Sequence, residues 1–129
     1  MSISVGIFDE HKIAQEGISS LLSGIDDIEV VIKVTHRQGL NEKLRYTVVN
    51  VLLMNVHEIT VQMFNLVSQL SINYPKVKVL IISVHNHEDF VLKIIKAGAK
   101  GFLAKDTERN ELIEAIYTLR NGYDYLVNQ

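Results

Sequence analysis

The hydrophobic positions of this 129-residue chain fall into two alternating patterns. Short apolar runs, the first four of them rich in β-branched residues, at 3–8, 28–34, 48–54, 77–82 and 101–104, predict strands. Between and after them, at 11–23, 36–46, 59–73, 88–97 and 107–120, apolar residues recur at helical spacing. In the first helical stretch Ile13, Gly17 and Leu21, and again Ala14, Ile18 and Leu22, stack at i, i+4 spacing. The third turns Met63, Phe64, Val67 and Leu70 inward, and the last turns Leu112, Ala115, Ile116 and Leu119 inward. The 36–46 stretch is the weakest, built around Leu40 and Leu44. Gly24, Pro75 and Gly98 supply stops. Thr107 is placed to cap the last helix, because a hydroxyl there can accept an orphan amide hydrogen bond.

Five strand–helix units with nothing left over imply a parallel sheet, since each crossover must carry the chain back over a face. The runs at 48–54, broken only by Asn50, and at 77–82 are almost continuously apolar and suit central strands covered on both faces. Right-handed crossovers then give a doubly wound α/β domain. The domain is expected over residues 1–122, with 123–129 as the start of a linker or C-terminal tail.

Composition narrows the function. Hydrophobic residues make up 47% and charged residues 22%, which predicts a packed core rather than disorder. With no cysteine there are no disulfides and no thiolate metal sites. A net charge of -2 gives no general attraction to nucleic acid, so any DNA binding is expected from a C-terminal domain outside this chain. The N-terminus lacks a basic signal region, and no apolar run approaches the roughly 20 residues of a membrane span. A cytoplasmic protein with no membrane partner is expected.

In open parallel sheets, ligands gather beyond the carboxyl ends of the strands. Asp9 and Glu10 follow the first strand, Asn55 and His57 the third, Ser83 the fourth and Lys105 the fifth. Any one of these alone is ordinary loop polarity; one polar group after each central strand defines a candidate site. A flavin-binding protein of similar topology would need a phosphate-cradling loop after the first strand, where this chain has two acids. No nucleophile–base–orienter set identifies an enzyme. His85-Asn86-His87 reads as a loop entering a helix, with Glu88 and Asp89 at its positive end, rather than as a metal site.

This constellation resembles the receiver domain of two-component response regulators over nearly the whole chain. Glu16-Gly17-Ile18, residues 95–103 and Leu119-Arg120-Asn121-Gly122 look most like regulators of the LuxR/NarL type, which carry a C-terminal helix-turn-helix. The resemblance implies a flavodoxin-like, five-stranded sheet in the order 2-1-3-4-5. It assigns Asp9 and Glu10 to a Mg²⁺-holding acidic pair and Asn55 to the position of the phosphoacceptor aspartate. Ser83 and Lys105 match the groups that bind the phosphoryl oxygen and pair with the phosphoaspartate, and Phe102 matches a switch aromatic. It also implies a homodimer face on the last two helices and fifth strand, where Lys93, Lys96 and Lys100 can complement Asp106, Glu108, Glu111 and Glu114.

The departures matter as much. The Asn55 amide is neutral and its nitrogen lone pair is delocalised, so it cannot form a comparable acyl phosphate. With one negative charge fewer, Asp9, Glu10 and the His57 backbone carbonyl are expected to hold Mg²⁺ weakly; no other cofactor is expected. The loop at 56–60 lacks the family's proline. Lys105 is then expected to neutralise Asp9 and Glu10, and Ser83 to bond Asn55. The expected function is an atypical receiver: a non-enzymatic protein-interaction module of a transcription regulator, working without aspartyl phosphorylation. The alternatives are a small-molecule or anion sensor using the same pocket, and an ordinary receiver whose acceptor aspartate was mutated.

Overall fold

A computed structural model describes residues 2–126. The elements are β1 (Ile3–Phe8), α1 (Lys12–Leu21), β2 (Ile28–Val34), α2 (Arg37–Tyr46), β3 (Val51–Val56) and α3 (Val61–Asn73), followed by β4 (Lys78–Ser83), α4 (Glu88–Ala97), β5 (Gly101–Ala104), α5 (Arg109–Arg120) and β6 (Tyr125–Leu126). All strand pairs are parallel, in the order β2-β1-β3-β4-β5-β6. The expected flavodoxin-like order 2-1-3-4-5 is therefore present, extended by a sixth strand.

Strand periodicity splits the core in two. Leu52, Met54 and Val56 of β3 pack with Leu40, Leu66, Val67, Leu70, Phe90 and Ile94 from α2, α3 and α4. Val51 and Leu53 face the other way, into Leu22, Leu112, Ala115, Ile116 and Leu119. Leu52 and Leu53 have no exposed surface; each such burial contributes roughly 1.5–3 kcal/mol before entropy is counted. Among the described residues, no helix is long and apolar enough to cross a membrane.

The sixth strand corrects the count of five and draws part of the 123–129 segment into the sheet. Tyr125 and Leu126 align with Gly101 and Phe102, and the Tyr125 amide donates to the Lys100 carbonyl at 3.0 Å. Residues 127–129 lie outside the described residues. Gly101 permits the approach, since a Cβ there would meet Leu80 at 2.7 Å, Leu119 at 3.1 Å and the Tyr125 carbonyl oxygen at 3.2 Å. The Tyr125 hydroxyl donates to Glu114 at 3.5 Å, and burial, with Glu114 and Glu111 nearby, pushes its pKa up.

Three further local corrections follow from hydrogen bonding. First, β3 starts at Val51 rather than at position 48. The Asn50 side chain accepts from the Ser4 amide at 2.8 Å, and Val48 is left 79% exposed. The strand also runs on to Val56, past the expected end at 54, so Asn55 lies within β3 rather than after it. Second, only one of the two predicted α1 stacks faces the core. Ile18 and Leu22 pack inward, whereas Ile13 is 89% exposed. The inward position beside them belongs to Gln15, fully buried, whose amide donates to the carbonyls of Val34 at 2.7 Å and Ile7 at 3.4 Å. Third, Glu108, not Thr107, is the residue before α5, and it makes no side-chain cap. The Thr107 amide is used in the turn after β5, donating to the Ala104 carbonyl at 3.1 Å.

Gly98 ends α4 with φ +127, and a Cβ there would lie 2.5 Å from the Ser71 Cβ. Backbone strain and overlap add, so Gly98→Ala is expected to lower stability by about 2 kcal/mol. Urea unfolding at unchanged slope measures it; an unshifted midpoint contradicts the account.

Candidate functional site

The site is built on one buried carboxylate. Asp9 follows β1 and has no exposed surface. Its Oδ1 accepts from the His11 backbone amide at 2.9 Å and from the His57 ring Nε2 at 2.7 Å. Its Oδ2 accepts from the Asn55 Nδ2 at 2.7 Å. The Asn55 Oδ1 in turn accepts from the Lys105 Nζ at 3.1 Å. The chemistry of the partners fixes each orientation. A lysine ammonium only donates and an ionised carboxylate only accepts, so the amide turns its oxygen to Lys105 and its nitrogen to Asp9. By the same rule the His57 ring presents an N–H to Asp9. The result is a continuous row, His57–Asp9–Asn55–Lys105, in which an otherwise costly buried charge is hydrogen-bonded on both oxygens.

Strand geometry explains why these groups meet. Asn55 is 5% exposed, and the period of two in a strand directs it to the side of Val51 and Leu53. His57 comes two residues later; its ring is 19% exposed and stacks on His11 with centroids 3.8 Å apart. The sequence places His57 after the third strand, and the family resemblance gives a role only to its backbone carbonyl; the contact of its ring with Asp9 is new. The i, i+2 relation of His57 to Asn55 was the signal available.

The other expected residues take different places. Glu10 is exposed. It borders a cavity of about 80 Å³ with Arg37, Asn55, His57 and Thr60. Lys105 makes no ion pair with Asp9 or Glu10 among the described residues; the Asn55 amide stands between. Ser83 is fully buried, but its hydroxyl oxygen accepts from the His85 amide at 2.9 Å, a local turn, and not from Asn55. Phe102 is 3% exposed and meets Phe90 edge to face at 5.8 Å, while Phe90 meets Phe64 at 5.9 Å. These three rings form a packed row from β5 through α4 to α3. Lys93 lies over the Phe64 ring at 5.2 Å.

The donor set does not suit a hard dication as arranged. Mg²⁺ favours anionic oxygens in near-octahedral geometry. Here both oxygens of Asp9 are engaged by N–H groups, Asn55 is neutral and Glu10 faces out. Among the described residues, no three His, Asp or Glu side chains converge as a metal set, and His85 and His87 are no exception.

Comparison with known proteins agrees with this architecture. The family described as the response regulator receiver domain matches residues 5–117. The transcriptional regulatory protein DegU of Brevibacillus brevis is 31% identical over 96% of this chain and 52% of its own length. The response regulator UvrY of Escherichia coli is 25% identical over 98% of this chain and 58% of its own. The chain thus spans between half and three fifths of these relatives. The receiver domain of RcsB from Salmonella enterica serovar Typhimurium, in its apo form, matches 98% of this chain and 94% of its own with a TM-score of 0.88 at 19% identity, a likeness of fold. With a parallel sheet in this order, polar groups at its strand ends and a family match over most of its length, the chain belongs to the response regulator receiver domain family.

Proposed function

We propose that this chain is an atypical receiver, a protein-interaction module of a two-component-type transcription regulator whose output is not set by aspartyl phosphorylation. The observation that carries the reading is the Asn55 amide, held between Asp9 and Lys105 at the position the family resemblance gives to the phosphoacceptor. A carboxylate attacks phosphorus with a charged oxygen; this amide is neutral and both its ends are engaged. In this reading the module is cytoplasmic and non-enzymatic. It meets partners, including a second copy, through α4, β5 and α5, and DNA contacts belong to a domain outside these residues. Two observations support that assignment: DegU is named as a transcriptional regulatory protein, and one solved RcsB structure of the same fold is a complex with DNA. The sensor alternative draws no support from the cavity beside His57, which at about 80 Å³ is far below the roughly 300–1,000 Å³ of ordinary ligand pockets; the opening beside Lys105, about 350 Å³ and lined also by Val84, Asn86, Ala104 and Asp106, reaches only the lower end of that range.

Incubation with acetyl phosphate and Mg²⁺, followed by intact mass measurement, tests the reading. The mass is expected to stay unmodified. A phosphoryl adduct that resists acid but is released by base or hydroxylamine would sink it.

A further inference from the structure

We infer that the His57 imidazole stands where a receiver would hold its cation, and that it closes Asp9 to divalent metal. The inference takes from the family resemblance only the identification of Asp9 as a would-be cation ligand. It does not depend on whether Asn55 accepts a phosphoryl group.

Four observations converge. A carboxylate offers about four lone-pair directions, and three of those on Asp9 already receive N–H donors from His11, His57 and Asn55. The His57 contact, at 2.7 Å to a fully buried carboxylate, is among the shortest side-chain bonds here. Such charge-assisted bonds are roughly twice as strong as neutral ones, and a cation approaching Oδ1 must displace this one. The ring is also held from its face: it stacks on His11 with an interplanar angle of 25° and is mostly buried. Swinging it away loses the stack as well as the hydrogen bond. Finally, the charge needed to attract a dication is missing. Asn55 is neutral and Glu10 is exposed, so the site holds one buried carboxylate, already matched by His57 on one oxygen and by the Asn55–Lys105 pair on the other.

His57 thus acts as a positioning residue. It replaces a diffusible ion with a covalently tethered donor, and the Asp9–Asn55–Lys105 row is assembled without metal.

Mn²⁺ serves as the probe, titrated into the full chain and followed by the electron paramagnetic resonance of free Mn²⁺. Wild type is expected to show no saturable site below millimolar concentration. His57→Ala is expected to gain a site at least about tenfold tighter than any in wild type, a difference of about 1.4 kcal/mol. His57→Gln retains a side-chain N–H donor and is expected to stay as refractory as wild type. Equal affinity of wild type and His57→Ala overturns the inference, as does a His57→Gln site as tight as that of His57→Ala. The wild-type titration is decisive even where a variant does not fold. Submillimolar Mn²⁺ binding that broadens the NMR signals of Asp9 and His57 refutes the claim by itself. A phosphoryl adduct in the acetyl phosphate experiment, by contrast, would overturn the functional reading and leave this result standing.

Discussion

Asn55→Leu is expected to cost about 3 kcal/mol of folding stability, the scale of breaking a buried hydrogen-bonded charge, and to lower the melting temperature by roughly 10 °C. Leucine is close to asparagine in size, and in β3 it would sit on the apolar side that Val51 and Leu53 share, so little packing is lost. The loss is electrostatic. The Asp9 Oδ2 forfeits its Asn55 donor while remaining fully buried, and a buried carboxylate oxygen facing an aliphatic group has no compensation. Lys105 loses its acceptor too, but it is exposed and returns to water at little expense. Thermal and urea unfolding measure the change. Stability within about 0.5 kcal/mol of wild type, the range of ordinary surface changes, would mean that the row from His57 to Lys105 contributes little to the fold.

The second large effect is a gain of chemistry. Asn55→Asp puts a carboxylate in place of a donor 2.7 Å from Asp9 Oδ2, and two carboxylates at that distance repel unless a cation intervenes. Lys105 is already within reach of the new side chain. The acyl phosphate chemistry closed to the amide becomes available, but His57 still occupies Asp9 Oδ1. The double variant Asn55→Asp, His57→Ala supplies the nucleophile and vacates that position. It is expected to take a phosphoryl group from acetyl phosphate in a Mg²⁺-dependent way, at least about tenfold faster than Asn55→Asp alone, or about 1.4 kcal/mol of barrier. A time course of intact mass with and without Mg²⁺ reads both rates. Equal rates would remove His57 as the obstacle. No adduct on either variant would remove the phosphoacceptor assignment of position 55.

Most of the architecture was legible because it depends on periodicity. The helix at 88–97 and the strand at 101–104 occur with the bounds their apolar spacing predicts. Where expectation and structure part, a side-chain hydrogen bond across the chain decides. The apolar run through Val48 and Val49 does not reveal where pairing begins; the bond from the Ser4 amide to Asn50, spanning 46 residues, accompanies that boundary. Gln15 holds an inward position that hydrophobic counting assigns to solvent, because two carbonyls from β1 and β2 await it. The site shows the same division. The strand-end rule located Asp9, Asn55, Ser83 and Lys105 by element. Residue type alone could not reveal that His57 pairs with Asp9, 48 residues away, or that the Ser83 hydroxyl is claimed by its own turn.

The two-residue strand β6 also constrains assembly. An open sheet edge is a row of unsatisfied amides and carbonyls that another polypeptide can extend. Over Gly101 and Phe102 that row is already taken by the chain's own Tyr125 and Leu126. That edge of the described sheet thereby passes to β6, which at two residues offers another polypeptide only a short ladder. So short an edge disfavours assembly that propagates strand by strand.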